Sequence, residues 1–143
     1  GFVAGDSQVL RSFLQYRTYH GCAMPIHHQL GSIAAWNDEA HVIANRQQYR
    51  DKFAAVLAEF SGHLAVAAPD AGFYLWPETP VSDIEFARQL YAGENVTVLP
   101  GRFLARESCG VNPGENRVRM ALVATAEHCV EAAQRIVHRL GKL

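Results

Sequence analysis

Residues 25–60 carry a helical pattern of unusual length, and this stretch limits most strongly how the chain can fold. Apolar residues recur there three and four positions apart, as they do on one face of a helix. They are Ile26, Leu30, Ile33, Ala34, Val42, Ile43, Tyr49, Phe53, Val56, Leu57 and Phe60. Asn37-Asp38 interrupts the pattern and offers a new N-cap, and Ser61-Gly62 ends it. A compact small domain rarely needs so long a helix, so we expect this stretch to leave one domain and enter another.

The chain begins in an apolar segment without an initiator methionine. We expect residues 1–4 to be the end of a strand, and Asp6 or Ser7 to cap a helix that continues to about Tyr16. Pro25 suits the first turn of the next helix. The abrupt start leads us to expect the C-terminal part of a larger protein.

After residue 60, strand and helix patterns alternate over short distances. The expected strands are 63–67, 72–76, 95–99 and 117–124, and the expected helices are 81–91 and 126–140. Ser82 or Asp83 caps the first of these helices, and Thr125 caps the second. This order predicts an α+β fold, in which a small domain follows the long helix and an N-terminal remnant of something else.

Composition excludes several classes of partner. The net charge of −1 shows no basic excess for nucleic acid, and no apolar run is long enough to span a membrane. The three cysteines, Cys22, Cys109 and Cys129, have no CxxC pairing. An odd number without disulfide spacing favours reduced thiols, and hence a cytoplasmic protein.

Arg117 and Arg119 lie two positions apart in the most clearly strand-like segment of the chain, so they share one face of it. Val118, Met120 and Leu122 share the other. An arginine in a buried strand is costly unless it meets an anion, and the guanidinium fork matches a carboxylate. The alternative is an edge strand with two solvent-exposed arginines, and the residues alone leave both open.

Other candidates are weaker. Gly72 and Phe73 either bring backbone close to a ligand or belong to an ordinary core strand, and the core account suits Phe73 and Leu75. The potential metal ligands His20, Cys22, His27 and His28 include two adjacent helical residues that face different ways, so we predict no metal site. The sequence contains no Gly-rich phosphate loop, GxSxG motif or paired carboxylates, so no self-contained catalyst is visible.

Several segments in this order resemble class I/II, fold-type-I aminotransferases, which depend on pyridoxal phosphate (PLP). They are Gly1-Phe-Val-Ala-Gly5, Arg17-Thr-Tyr-His-Gly-Cys-Ala-Met-Pro25, Ala71-Gly-Phe-Tyr-Leu-Trp76, Val98-Leu-Pro-Gly101 and Arg117-Val-Arg-Met-Ala-Leu122. The resemblance is closest to the bacterial N-succinyldiaminopimelate aminotransferases, through the segments 16–24 and 35–42. It implies a remnant of the PLP-binding large domain at 1–24, a connecting helix at 25–60 and a C-terminal small domain at 61–143.

The resemblance also implies roles for individual residues. Arg119 would bind the substrate α-carboxylate, with Arg117 as a structural neighbour. Gly72 and Phe73 would approach the substrate, and Arg17 would reach the partner subunit's active site in a homodimer. Arg102 stands where the family often has serine after Pro-Gly, which puts the local geometry in question.

The lysine that forms the Schiff base with PLP lies upstream of residue 1 in this family. The resemblance therefore implies no catalytic or cofactor-binding residue in this chain, which we expect to be inactive alone and not covalently bound to PLP. The intact protein would transfer an amino group between N-succinyl-LL-diaminopimelate and 2-oxoglutarate in lysine biosynthesis. Two alternatives remain: a standalone α+β carboxylate-binding or interaction module without catalysis, and a small metalloprotein that uses His20 and Cys22.

Overall fold

The computed structural model describes residues 2–21 and 23–143. It forms two compact units, Gly1–Ile43 and Ala44–Leu143. The expected division at residues 24 and 60 stays a prediction, because packing within one chain does not identify the domains of a larger protein.

The first unit consists mainly of helices. Helix α1 spans Ser7–Tyr19 and begins at Asp6, whose carboxylate accepts hydrogen bonds from the backbone N–H groups of Gln8 and Val9 at 2.9 and 3.0 Å. This confirms the expected cap. Helix α2 spans Ile26–Asn37 and follows Pro25. The strand expected at residues 1–4 is wrong for residues 2–4, which are irregular because no described strand lies beside them to pair with; Gly1 lies outside the described residues.

Helix α3 spans Glu39–Phe60. The carboxylate of Asp38 accepts from the backbone N–H groups of Ala40 at 3.0 Å and His41 at 3.4 Å, so the long pattern is divided where the sequence predicts. The C-terminal part of α3 buries Val56 and Phe60 in the second unit.

A three-stranded antiparallel sheet lies in the second unit. Strand β1 is Tyr74–Leu75, β2 is Leu99–Pro100 and β3 is Val118–Ala121, and their order in the sheet is β1-β3-β2. Tyr74 pairs with Ala121, and Leu99 pairs with Arg119. All three strands are shorter than predicted, and β3 is the central one.

Two of the expected strands do not form as predicted, because the end of a helix takes up the first residues of each. The segment 63–67 is not a strand, because the N–H groups of His63 and Leu64 bond back to the Phe60 carbonyl at 2.9 and 3.0 Å and extend the end of α3. In the segment 95–99 only Leu99 pairs. Asn95 adopts a left-handed conformation (φ 53°) that ends the preceding helix, and Val96 donates back to Leu90.

Helix α4 spans Asp83–Glu94 and helix α5 spans Ala126–Leu140. Ser82 and Thr125 cap them by accepting from Glu85 N–H at 3.2 Å and His128 N–H at 3.4 Å, which confirms both expected caps. Side chains from α3, α4, α5, one face of the sheet and the segments next to its strands form the core. Its members are Val56, Phe60, Leu75, Phe86, Leu90, Val96, Val98, Val118, Met120, Leu122, Cys129, Ala133 and Ile136. The mixture of helices and a small antiparallel sheet confirms the α+β prediction.

Candidate substrate-carboxylate site

Strand β3 has one buried and one accessible face, as its alternation predicts. Val118, Met120 and Leu122 are buried in the core. Arg117 and Arg119 lie half-buried on the opposite face. Because β3 is the central strand, the alternative of an edge strand with two arginines is wrong.

Arg117 is neutralised within the second unit. Its guanidinium forms an ion pair with Glu78 and donates a hydrogen bond to the carbonyl of Trp76 at 3.3 Å. Glu78 and Arg117 also meet as an isolated antiparallel bridge, which extends the pairing between the segments of β1 and β3. The side chain of Arg117 thus stabilises the pairing of these two segments.

Arg119 has different surroundings. Its backbone pairs with Leu99, and its guanidinium carbon lies over the ring of Tyr74, 5.9 Å from the ring centroid. Among the described residues, its side chain has no hydrogen-bonding or ion-pairing partner. The N–H donors of a half-buried guanidinium therefore remain available to an anion, and a carboxylate can accept two of them at once.

Gly72 and Phe73 lie just before β1, beside Leu122, which follows the end of β3. Gly72 has φ +102°, a conformation that favours glycine, and the Phe73 carbonyl accepts from Leu122 N–H at 2.8 Å. The core account is correct for Leu75, which is buried, and wrong for Phe73, whose exposed fraction is 44%. The aromatic ring of Phe73 contacts Tyr74 edge-on, with 5.6 Å between the centroids.

From the sequence, Asp83 is only one of two candidate caps for a helix, and its pairing with Arg102 was not predicted. Its carboxylate is fully buried and accepts from the Arg102 backbone N–H at 3.1 Å, from Nε at 2.8 Å and from Nη2 at 2.6 Å. Burial acts to raise the pKa of Asp83, but the hydrogen bonds and charge of Arg102 outweigh it and hold the pKa below its ordinary value. Arg102 thus connects the one-turn 3-10 helix Gly101–Phe103 to the start of α4. The signal in the sequence was Arg102 itself, an arginine where the resemblance leads to the expectation of serine.

Arg17 lies in the first unit, where its guanidinium donates to the carbonyl of His20 at 2.7 Å. The rings of His27 and His28 lie 4.3 Å apart. No group of three or more His, Cys, Asp or Glu side chains within residues 2–21 and 23–143 is arranged to hold a metal ion. Cys22 lies outside the described residues, so the metal prediction stays a prediction.

The two lysines of the chain both lie in the second unit. The ammonium of Lys52, on α3, donates to the Leu122 carbonyl at 3.2 Å and lies 5.0 Å from the ring centroid of Tyr49. Lys142 is exposed in the C-terminal turn. In the described part of the chain, no helix is both long and apolar enough to cross a membrane.

Comparison with known proteins gives consistent matches. A family model described as aminotransferase class I and II matches residues 1–136. A probable aminotransferase of Mycobacterium tuberculosis is 34% identical over 137 residues, which cover 95% of this chain and 31% of that protein.

Solved structures match as well. An aminotransferase of Neisseria meningitidis has 52% identity and a TM-score of 0.87, over 97% of this chain and 36% of its own. A probable N-succinyldiaminopimelate aminotransferase of Thermus thermophilus has 32% identity and a TM-score of 0.63, over 76% of this chain and 28% of its own. The chain thus spans about a third of the length of the relatives it matches.

Proposed function

Because the chain belongs to the aminotransferase class I and II family, we propose that the protein containing it transfers amino groups with PLP as its cofactor. The family is PLP-dependent, and PLP bound to an enzyme lysine supplies the electron sink for moving an amino group. The chain does not itself fit the cofactor. Lys52 donates a hydrogen bond to the carbonyl of Leu122, just after β3, and Lys142 lies in the C-terminal turn, so we assign neither as a Schiff-base lysine. We therefore expect the isolated chain to have no transaminase activity.

The difference between Arg119 and Arg117 is the observation that supports this proposal best. Both lie on the accessible face of β3, yet Glu78 neutralises Arg117, whereas Arg119 has no hydrogen-bonding or ion-pairing partner among the described residues. An α-carboxylate is common to amino acids and 2-oxo acids, so one guanidinium can bind both the amino donor and the acceptor. Arg119 therefore anchors that carboxylate, and Gly72 and Phe73 border the same region.

We propose N-succinyl-LL-diaminopimelate and 2-oxoglutarate as the reacting pair, in lysine biosynthesis. The likeness to the Thermus protein, at 32% identity, supports this choice, as do the segments 16–24 and 35–42. This substrate pair is more specific than membership of the aminotransferase family, so a panel of substrates tests it separately.

The remaining proposals concern assembly. The protein forms a homodimer in the cytoplasm, residues 61–143 form its small domain, and residues 1–24 continue a large domain. Arg17 then reads the distal acidic group of the substrate in the partner subunit. Changing Arg17 to Ala in the full-length protein should weaken selectivity for dicarboxylates, and unchanged kinetics would remove Arg17 from the site.

The first experiment compares Arg119→Gln with Arg117→Gln in the full-length protein. Loss of a charged, bidentate contact should lower kcat/KM in Arg119→Gln by about 100-fold or more, for donor and acceptor alike. The Arg117→Gln variant should lower thermal stability with a much smaller effect on kcat/KM. Equal kinetic losses in the two variants, or none in Arg119→Gln, would contradict the assignment of Arg119.

The second experiment measures kcat/KM of the unchanged full-length protein for several amino donors. With 2-oxoglutarate as acceptor, kcat/KM should be higher for N-succinyl-LL-diaminopimelate than for LL-diaminopimelate or the aromatic amino acids. A preference for another donor would refute N-succinyl-LL-diaminopimelate as the substrate, whereas amino transfer would remain the reaction. Binding of carboxylates without any transamination by the PLP-loaded protein would instead favour the noncatalytic module.

A further inference from the structure

Tyr74 lies beside the arginine on which the proposed function depends. Tyr74 pairs with Ala121 across the sheet, and Ala121 follows Arg119 by two positions, so all three side chains share one face. The Tyr74 ring lies under the guanidinium carbon of Arg119 at 5.9 Å. This distance is within the range over which an aromatic face attracts a guanidinium.

We propose that Tyr74 is a positioning residue for Arg119, an inference that rests on the proposed function. The side chain of Arg119 is long and has no hydrogen-bonding or ion-pairing partner among the described residues, so no polar contact with them fixes its guanidinium. A ring face restricts the guanidinium without using any of its N–H donors. The donors then remain available for the substrate carboxylate, and less conformational freedom is lost when it binds.

The backbone around Tyr74 holds the ring in place. Leu75, the next residue, is buried in the core, and the Phe73 carbonyl is bonded to Leu122 N–H at 2.8 Å. Gly72, with its positive φ, lets the chain turn into this strand. Its position would also bring an added Cβ to 3.9 Å from the Tyr74 ring, an ordinary contact. The ring is therefore carried by a strand that is fixed on both sides of it.

The ring and the hydroxyl of Tyr74 have different surroundings, so their contributions can be tested separately. The side chain is 39% exposed, and its hydroxyl makes no hydrogen bond with any described residue. Only the aromatic face of Tyr74 therefore acts on Arg119. Phenylalanine should replace Tyr74 without loss, whereas leucine keeps an apolar side chain and removes the face.

The experiment uses the PLP-loaded full-length protein with Tyr74→Phe, Tyr74→Leu and the control Tyr91→Leu. Tyr91 is 67% exposed on α4 and lies outside the site. The measurements are KM and kcat for the amino donor and the inhibition constant of glutarate, a dicarboxylate without amino or keto groups. In Tyr74→Leu, KM and the inhibition constant should rise about two- to fivefold, the ratio expected for a partly exposed cation–π contact, with kcat little changed. Tyr74→Phe and Tyr91→Leu should match the unchanged protein.

A double variant separates positioning from a general effect on folding. If Tyr74 acts through Arg119, Tyr74→Leu should weaken glutarate binding in the unchanged protein and have no further effect when Arg119 is already Gln. Equal effects of Tyr74→Leu in both backgrounds would overturn the inference, as would a loss in Tyr74→Phe equal to that in Tyr74→Leu.

The same data distinguish the two proposals. If Arg119→Gln weakens glutarate binding and Tyr74→Leu does not, the role of Tyr74 is refuted and the proposed function stands. If Arg119→Gln leaves KM and glutarate binding unchanged, the assignment of Arg119 as the carboxylate anchor fails and the role of Tyr74 fails with it. The proposed amino transfer itself is refuted only if the unchanged PLP-loaded protein shows no transamination.

Discussion

Removing the carboxylate of Asp83 should open the start of α4 and the turn after β2. In Asp83→Ala, the backbone N–H and the guanidinium of Arg102 lose their acceptor. Breaking a buried charged pair typically costs about 3–5 kcal/mol. Arg102 is partly exposed and lies 3.6 Å from Glu115, so water and that carboxylate recover part of the loss. We therefore expect Asp83→Ala to lower the local free energy of opening by roughly 2–4 kcal/mol.

Amide hydrogen exchange on the full-length protein measures this opening in the relevant segments. A loss of this size should speed exchange roughly 30- to 1,000-fold in peptides that cover residues 83–94 and 101–104. Glu85→Gln is a matched control in the same turn of α4, because the Glu85–Arg88 pair is solvent-exposed and contributes little. Equal exchange in Asp83→Ala and Glu85→Gln would refute the reasoning.

The pH dependence gives a second test of the same pair. The native pKa of Asp83 lies below its ordinary value of 3.8, so folding favours the charged carboxylate. Its contribution is complete above pH 3.8 and is lost as the pH falls through the lowered native pKa. After correction for intrinsic exchange rates, protection of these segments should fall in acid more steeply in the unchanged protein than in Asp83→Asn. Parallel curves for the two proteins would contradict this.

Two further predictions concern packing in the second unit. An alanine Cβ at Gly101 would lie 2.7 Å from the Arg117 carbonyl oxygen. Gly101→Ala should therefore destabilise the protein by about 1–3 kcal/mol, measured by thermal unfolding. In the control Gly93→Ala the added Cβ meets only an ordinary contact, so this variant should be as stable as the unchanged protein or more stable. Burial raises the pKa of the Cys129 thiol, whereas Cys109 is exposed. Mass spectrometry after brief alkylation should find Cys109 modified and Cys129 unmodified until the protein unfolds; equal labelling of the two would show that Cys129 is accessible.

Local sequence patterns predicted the helices and their caps. Asp6, Asp38, Ser82 and Thr125 each accept hydrogen bonds from N–H groups two or three residues ahead. Such bonds depend on neighbouring residues alone, so the sequence contains the necessary information. The strands were less predictable, because 63–67 had suitable residues and yet the end of α3 captured its first N–H groups. A strand exists only where another segment comes alongside to pair with it.

The two arginines on the accessible face of β3 show which properties the sequence determines and which depend on tertiary structure. Their spacing by itself determined that Arg117 and Arg119 share a face, because side chains in a strand alternate with a period of two. It did not determine which of them is neutralised. Glu78, 39 positions away, reaches Arg117 only because the β1 segment lies antiparallel to β3, and the same pairing places Tyr74 beside Arg119. Charge pairing over such a separation depends on the path of the whole chain, so only the folded structure made the two arginines different.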